Sequence, residues 1–161
     1  MNKNIKVNAA ILIIGNEILS GRTQDTNTST LATWLNSIGV KVGEVRVIPD
    51  LEKTIVDTLK FLKSSYDYVF TTGGIGPTHD DITTEAVAAA FFVPVIRNPE
   101  AERRLIAHYA NTGLEFNAAR QKMADVSRDL AANCFGEQAV VSAYLRAVSY
   151  THLTLPTILL V

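Results

Sequence analysis

The chain has 161 residues, of which 47% are hydrophobic and 19% are charged. This composition is typical of one globular domain with a real core and excludes a disordered chain. The net charge of −1 gives no indication of a nucleic-acid partner or an anionic membrane surface, and no apolar stretch approaches the roughly 20 residues of a membrane span. The single cysteine, Cys134, cannot form an internal disulfide, and the first residues lack the apolar core of a signal peptide, so a cytoplasmic location is expected.

The first predicted strand leads into a polar loop. The run Ala9–Ile14 is continuously apolar, which predicts a strand buried on both faces and central in a parallel sheet. Ligands gather where such strands end, so at least one polar side chain of the loop Gly15–Asn27 is expected to face a ligand. The candidates are Glu17, Asp25 and Asn27. The alternative is a polar loop that only starts a helix, with Asn27 or Thr28 as its N-cap.

A helix and a second strand are predicted next. Four apolar residues share one helical face through the spacing i, i+3, i+4, i+7; they are Leu31, Trp34, Leu35 and Ile38. This spacing predicts a helix over Thr28–Ile38, and Trp34 is expected in the core because it lies on that face. Gly39 is suited to end the helix as its C-cap, and the valine-rich segment Val40–Ile48 predicts the second strand.

Asp50 follows the second strand and admits two interpretations. The segment Leu51–Ser64 predicts a helix from its apolar spacing, and Asp50 directly before it is suited to be its N-cap. Asp50 also lies at the C-terminal end of a strand, where it could take part in a site. The residues alone leave both interpretations open.

Three glycines within four positions follow the third predicted strand, which is the run Tyr66–Phe70. They are Gly73, Gly74 and Gly76. Glycine lets the backbone turn tightly and approach a ligand. A helix is predicted over Glu85–Phe91 with Thr83 as its cap, and its N-terminus offers free N–H groups. The combination is typical of a phosphate-binding turn.

The turn matches neither of two common phosphate-binding motifs. The pattern G-x-G-x-x-G would require glycine where His79 stands, and the chain contains no Gly-Lys-Ser/Thr triplet of a P-loop. Instead, Asp80 and Asp81 stand beside the turn. Their carboxylates would repel a phosphate unless a hard cation such as Mg²⁺ lay between them. The alternative is that one of them only caps the following helix.

The segment Thr71–Ala86 resembles the central signature of a known family. It reads Thr-Thr-Gly-Gly-x-Gly-Pro-Thr-x-Asp-Asp-x-Thr-x-Glu-Ala, which is similar to the molybdopterin-binding (MoaB/Mog-like) domain. The branch it resembles most is the competence/damage-inducible protein A (CinA) family, together with the related domain of eukaryotic FAD synthases. The molybdopterin-handling branch has Gly-Gly-Thr-Gly and Arg-Asp or Lys-Asp, where this chain has Ile75 and Asp80-Asp81. The loop Gly15–Asn27 resembles the opening Gly-x-Glu-Leu-Leu-x-Gly…Asp-x-Asn of the CinA family.

The alternation of strands and helices predicts an α/β fold with three layers, α/β/α, and a mostly parallel sheet. The site is then expected at the C-terminal ends of the strands. From the resemblance, its ligand is a small phosphate-bearing molecule, either a nucleotide diphosphate or molybdopterin. The residues expected to bind it are Thr72, Gly73, Gly74, Gly76, Pro77, Thr78 and Thr83, with Glu17, Asp25 and Asn27 of the first loop.

The activity that the resemblance implies is metal-dependent hydrolysis of a pyrophosphate such as ADP-ribose or FAD. Asp81 would act in catalysis with Asp50 or Asp80, and a divalent cation, Mg²⁺ or Co²⁺, would be held by Asp80 and Asp81. One alternative is molybdopterin adenylation in cofactor assembly. Another is a non-catalytic ligand-binding module of a larger protein. The family also implies a homo-oligomer, either a dimer or a trimer.

Three shorter elements are predicted in the second half of the chain. They are a short strand over Val93–Ile96, a helix over Pro99–His108 and a helix over Asn117–Ala124. The last segment resembles the family's Asn-x-Ala-Arg-x-x-Met-Ala. Asn117 and Arg120 are therefore expected either to face the site or a neighbouring subunit, or simply to lie on an exposed helix face.

The resemblance extends from Ala9 to Ala124 and then fades. The ten residues Val148–Thr157 are identical to a translated reading frame of a transposase-based sequencing adapter. We therefore expect residues 1–147 to form the domain, incomplete at its C-terminus, and residues 148–161 to be an adapter-derived tail without function. A genomic continuation through Val161 would contradict this expectation.

Overall fold

The computed structural model describes residues 7–110, 112–128 and 158–160 of the chain. We number strands and helices in chain order. The strands are β1 (Val7–Ile14), β2 (Val40–Ile48), β3 (Tyr68–Thr72), β4 (Val95–Arg97), β5 (Asp125–Ser127) and β6 (Ile158–Leu160). The helices are α1 (Asn16–Leu19), α2 (Asn27–Ser37), α3 (Glu52–Ser65), α4 (Thr83–Phe91), α5 (Pro99–Ala110) and α6 (Ala118–Gln121), followed by a 3₁₀ turn (Lys122–Ala124).

Four strands form the main sheet in the order β2-β1-β3-β6. Strand β1 pairs parallel with both β2 and β3, and its residues from Ala9 to Ile14 are all buried. The predicted central, parallel strand is therefore confirmed. The predicted bounds of β2 are confirmed as well, and its outer position leaves Val45 and Val47 exposed.

Helices cover both faces of the sheet and complete three layers. On one face, β1 and β3 pack against α3 and α4 through a cluster that includes Leu12, Leu59 and Val87. On the other face, Leu31 and Leu35 of α2 pack against Ile11 and other side chains of the sheet. The predicted α/β/α fold with a mostly parallel sheet is confirmed.

The position of Trp34 differs from the prediction. Its side chain is 45% exposed, and that of Ile38 is 52% exposed. Successive helical residues are about 100° apart around the axis, so Trp34 points away from Leu35, which faces the sheet and is fully buried. Ile38 ends the helix in a non-helical conformation, and Gly39 follows with a φ of +85°, as expected of a residue that terminates a helix.

A small second sheet lies beside α4. Strands β4 and β5 pair antiparallel, and the buried hydroxyl of Ser127 donates a 3.1 Å hydrogen bond to the carbonyl of Thr84 in α4. The predicted strand Val93–Ile96 is displaced, because β4 begins after Pro94. Strand β5 was not predicted, since three residues carry too little periodicity to indicate a strand.

The predicted adapter-derived tail, residues 148–161, lies outside the described residues except at 158–160. The backbone of those three residues pairs antiparallel with β3. The origin of the tail stays a prediction. Within the described part of the chain, no helix is long and apolar enough to cross a membrane.

Candidate functional site

The loops that follow β1, β2 and β3 meet at one edge of the main sheet. The amide of Gly15 donates a 3.0 Å hydrogen bond to the carbonyl of Ile48. The amide of Asn16 donates a 2.7 Å hydrogen bond to Oδ2 of Asp50. The ends of β1 and β2 are thereby joined, as parallel strands with a common C-terminal edge require.

The segment Gly73–Gly76, called the glycine turn below, lies directly against the end of β1. Gly73 and Gly74 have φ angles of +92° and +64°, which favour glycine. A Cβ on Gly73 would lie only 1.9 Å from the carbonyl oxygen of Ile14. Among the described residues, the amides from Gly73 to Gly76 donate no hydrogen bond to a protein acceptor. Four successive amides without protein acceptors form a concave set of donors that suits an anion.

Thr83 fastens this turn to the start of α4. Its amide donates a 2.9 Å hydrogen bond to the carbonyl of Gly74, and its hydroxyl donates a 2.8 Å hydrogen bond to that of Gly73. The prediction that Thr83 caps α4 is wrong, because Ile82 occupies the N-cap position and no side chain accepts a capping hydrogen bond there. Thr83 is fully buried and instead fixes the shape of the turn.

Asp50 is not the cap of α3. The N-cap of that helix is Leu51, which makes no side-chain capping bond. Oδ2 of Asp50 accepts from Asn16, and Oδ1 lies 3.4 Å from the position that a Cβ on Gly74 would occupy. Of the two interpretations of Asp50, the cap is excluded, and a role in the site stays a prediction.

Asp81 approaches the same turn from its other end. Its Oδ2 accepts hydrogen bonds from the amide of Thr78 at 2.8 Å and from the hydroxyl of Thr78 at 2.5 Å. The same oxygen lies 2.7 Å from the position of a Cβ on Gly76. Asp50 and Asp81 therefore place carboxylates at the two ends of Gly74–Gly76.

Asp80 differs from its neighbour in its surroundings. Asp80 is exposed, as are Pro77 and Thr78, whereas Asp81 is half-buried. Hydrogen bonding with Thr78, and then with its own amide, lowers the pKa of the Asp80 carboxyl below its ordinary value, and His79 contributes in the same direction. The carboxylate form that a cation needs is thus favoured at Asp80.

A cleft of about 170 Å³ lies beside Gly73, which forms part of its lining. Its lining includes Glu17, Asn27 and Thr72 together with the apolar side chains of Ile13 and Ile18. The sequence placed Glu17 and Asn27 in the first loop and Thr72 after the third predicted strand, and the fold brings them together.

Two side chains of the cleft are held close to neighbouring backbone or side-chain atoms. Nδ2 of Asn27 donates a 3.4 Å hydrogen bond to the hydroxyl of Thr72. The carboxylate of Glu17 folds over Gly15, with Oε1 2.5 Å from the position of a Cβ on that glycine. Because Gly15 has no side chain, the Glu17 carboxylate can occupy this space.

Asp25 does not line the cleft. Its Oδ1 accepts hydrogen bonds from the amides of Asn27 at 2.9 Å and Thr28 at 3.3 Å. These are the first free amides of α2, so Asp25 satisfies them from the position before the N-cap. The N-cap itself is Thr26, so the predicted cap at Asn27 or Thr28 is wrong. Asp25 acts on the site only by holding the helix that carries Asn27.

The structure gives the contacts of Asn117 and Arg120, which the sequence left open, and of Lys122, which the sequence did not single out. Asn117 accepts from the amide of Arg120 and caps α6. Arg120 stacks over the ring of Tyr109 at 5.1 Å. Lys122, two residues later, is the residue of this segment that reaches the site: its Nζ donates a 2.5 Å hydrogen bond to the carbonyl of Asp81. Nothing in the segment distinguished Lys122, because the contact spans 41 residues.

The carboxylates around the glycine turn bear on whether a cation can bind there. The described residues contain no group of three or more His, Cys, Asp or Glu side chains close enough to hold a metal ion. Mg²⁺ is commonly bound by one or two carboxylates, with water and substrate phosphate as the remaining ligands. Asp50, Asp81 and the exposed Asp80 fit a cation shared with the phosphate of a ligand, and do not fit a cation held by protein alone.

The amino-acid sequence matches a known protein family. The profile of the family described as "Probable molybdopterin binding domain" matches residues 10–157. A "CinA-like protein" of Syntrophotalea carbinolica is 37% identical over 120 residues, which cover 74% of this chain and 29% of that protein. A "Probable FAD synthase" of Caenorhabditis elegans is 47% identical over 83 residues, which cover 52% of this chain and 16% of that protein.

A solved structure gives the same result. The CinA protein of Thermoplasma acidophilum, described as a protein with unknown function, superposes with a TM-score of 0.66 at 30% identity. The match covers 78% of this chain and 73% of that one. The chain spans less than half the length of the curated relatives that it matches.

Proposed function

Because this chain belongs to the molybdopterin-binding domain family, on its CinA-like branch, we propose that it hydrolyses the pyrophosphate bond of a nucleotide such as ADP-ribose or FAD with a divalent cation. The observation that carries this proposal is the pair of carboxylates, Asp50 and Asp81, at the two ends of a turn whose amides have no acceptor among the described residues. The amides of the glycine turn suit a phosphate group, and the two adjacent carboxylates suit a cation bound to that phosphate.

The glycine turn and the cleft bind two different parts of the same ligand. The amides from Gly73 to Gly76 hold the phosphate oxygens. The cleft beside Gly73 takes the sugar or ring of the ligand, where Glu17 and Asn27 offer polar contacts and Ile18 offers an apolar one. An acceptor-only carboxylate at Glu17 disfavours phosphate in the cleft, so the ligand binds with its phosphates towards the turn.

Hydrolysis adds one water molecule across the P–O–P bond. The water oxygen bonds to one phosphorus, and the bridging oxygen leaves with the other phosphate, so ADP-ribose gives AMP and ribose phosphate. A bound Mg²⁺ or Co²⁺ neutralises phosphate charge and polarises the phosphoryl group. Asp50 and Asp81 would hold that cation, with Asp80 as a further ligand, while the hydrogen bonds from Thr78 orient the Asp81 carboxylate.

The test is cleavage of ADP-ribose and of FAD by the purified protein with Mg²⁺ or Co²⁺, with AMP measured by chromatography. Asp50→Asn and Asp81→Asn keep the size of each side chain and remove its charge. Each should lower kcat on the order of 100-fold, as expected when one electrostatic group is lost. The matched control is Asp57→Asn, an exposed aspartate of α3 that pairs with Lys53, which should leave kcat unchanged.

A second function is favoured by the family description, which names molybdopterin. The same turn would then hold the phosphate of the pterin, and the cleft its ring. Tight pterin binding together with no release of AMP would replace the hydrolase proposal with molybdopterin binding or adenylation. Pterin binding that is unaffected by ATP and Mg²⁺ and gives no adenylated product would favour a non-catalytic module.

A further inference from the structure

Lys122, in the 3₁₀ turn that precedes β5, contacts the segment Thr78–Asp81 of the candidate site. Its Nζ lies 2.5 Å from the carbonyl oxygen of Asp81 and 3.1 Å from Oε1 of Glu85 in the first turn of α4. The Lys122 side chain is 31% exposed, so its ammonium group is partly removed from water. A lysine in this position offers one hydrogen bond to the turn and one ion pair to the helix behind it.

The backbone around Lys122 is held firmly. Met123 and Ala124, which follow it, are buried against Leu105 of α5. The carbonyl of Ala124 accepts a 2.9 Å hydrogen bond from Asn98. The position of Lys122 is therefore set by packing of its 3₁₀ turn against α5, independently of the turn that it contacts.

Asp81 itself depends on few contacts. Its amide donates a 3.3 Å hydrogen bond to the carbonyl of Thr78, and its carboxylate accepts from the amide and hydroxyl of the same residue. These bonds all lie within one turn whose residues Pro77 to Asp80 are exposed. The hydrogen bond from Lys122 is the contact that joins this turn to an element distant in sequence.

We propose that Lys122 is a positioning residue, which holds the backbone of Asp81 so that the Asp81 carboxylate stays directed at Thr78 and the glycine turn. Glu85 keeps the ammonium group in place through their ion pair. Where it concerns turnover, this proposal rests on the proposed function. Where it concerns the conformation of the turn, it stands on the contacts of Lys122 alone.

The test compares Lys122→Met, which keeps the length of the side chain and removes its charge, with Lys122→Arg. The readout without substrate is exchange of the Thr78 amide proton, measured by NMR against a reference amide in β1. Exchange of this amide relative to the reference should rise about tenfold in Lys122→Met, the size expected when a hydrogen bond of this kind is lost, and should return towards wild type in Lys122→Arg. Lys53→Met, which removes an exposed lysine of α3, is the control and should change nothing at Thr78.

The second readout is ADP-ribose hydrolysis, in which Lys122→Met should lower kcat more than it raises KM. Unchanged relative exchange at Thr78 in Lys122→Met would overturn the proposal, even if global stability fell, because the β1 reference corrects for global unfolding. A wild-type protein that cleaves neither ADP-ribose nor FAD would overturn the proposed function only, and the exchange result would still decide the role of Lys122.

Discussion

The hydroxyl of Thr83 donates a 2.8 Å hydrogen bond to the carbonyl oxygen of Gly73, ten residues earlier in the chain. This bond closes the loop between β3 and α4, and the amide of Thr83 reinforces it by donating to Gly74. In the part of the chain that the structure describes, the closed loop leaves the amides of the glycine turn without acceptors. The shape of the anion site therefore depends on a threonine that is fully buried and cannot itself reach a ligand.

Thr83→Val should weaken both the fold and the site. Valine has nearly the same shape as threonine but cannot donate to Gly73, so the carbonyl loses a partner at a cost of about 1–2 kcal/mol. Urea denaturation should give this decrease in the free energy of unfolding, and affinity for ADP-ribose should fall as the turn loosens. Thr58→Val, in a buried position of α3, is the control. Equal affinity in the two variants would contradict a role of Thr83 in shaping the turn.

Gly73→Ala should be far more damaging than a similar change at another glycine. Gly73 and Gly21 both have positive φ angles, +92° and +71°, so alanine strains both by about 1–2 kcal/mol. Only at Gly73 would the new Cβ meet backbone, 1.9 Å from the carbonyl oxygen of Ile14, whereas at Gly21 nothing lies within 4 Å.

Thermal denaturation of the two variants separates the cost of backbone strain from the cost of the steric clash with Ile14. Gly21→Ala should show the strain alone, and Gly73→Ala should lose at least about 2 kcal/mol more, because backbone must shift. Equal losses in the two proteins would mean that the turn moves away from β1 without cost.

The elements of the fold were predictable where the sequence pattern is local. The continuous apolar run at Ala9–Ile14 predicted a buried central strand, and the bounds Val40–Ile48 were predicted correctly. Strand β5 was not predictable, because its three residues form a strand only by pairing with β4.

The candidate site was predictable in its residue types but not in their roles. The glycines and aspartates indicated a phosphate and cation site. The cap predictions at Asn27 or Thr28 and at Thr83 were wrong, and the cap interpretation of Asp50 is excluded. An aspartate, asparagine or threonine near a helix start can bond several amides or carbonyls, and tertiary geometry selects among them. The contact of Lys122 with Asp81 spans 41 residues, a distance at which sequence spacing carries no information.

Asp25→Ala should destabilise α2 without removing a cleft side chain. The carboxylate accepts from the amides of Asn27 and Thr28, and loss of such a cap costs about 1 kcal/mol. Urea denaturation should show this decrease, with Asp57→Ala as the control at an exposed aspartate. Because Asn27 begins the same helix, ligand affinity should fall as well. Unchanged stability in Asp25→Ala would show that Asp25 makes no net contribution as a cap.

Glu100 should contribute to the loss of stability in acid. Hydrogen bonds from Arg103, and then from Arg104, lower the pKa of Glu100 from 4.5 to about 2 in the folded protein. Since the folded pKa lies below the unfolded value, this stabilisation is fully present above about pH 4.5. It is lost as the pH falls towards 2.

Urea midpoints at pH 6 and pH 3 measure this effect. The midpoint of wild type should fall more between the two pH values than that of Glu100→Gln, and the difference should shrink in high salt, which screens exposed ion pairs. Glu52→Gln is the control, because Glu52 makes no ion pair with the described residues. Identical behaviour of wild type and Glu100→Gln would mean that these ion pairs do not persist in solution.

Trp34 offers a direct optical check of the orientation of α2. It is the single tryptophan of the chain, and its side chain is 45% exposed while that of its neighbour Leu35 is fully buried. Native fluorescence should therefore peak close to the wavelength of the unfolded protein and be quenched by iodide. Leu35→Ala should lower the free energy of unfolding by about 2–5 kcal/mol, and Trp34→Ala by clearly less, since less apolar surface is lost from the core. Blue-shifted emission that iodide cannot quench, together with a larger loss in Trp34→Ala than in Leu35→Ala, would mean that Trp34 rather than Leu35 packs against the sheet.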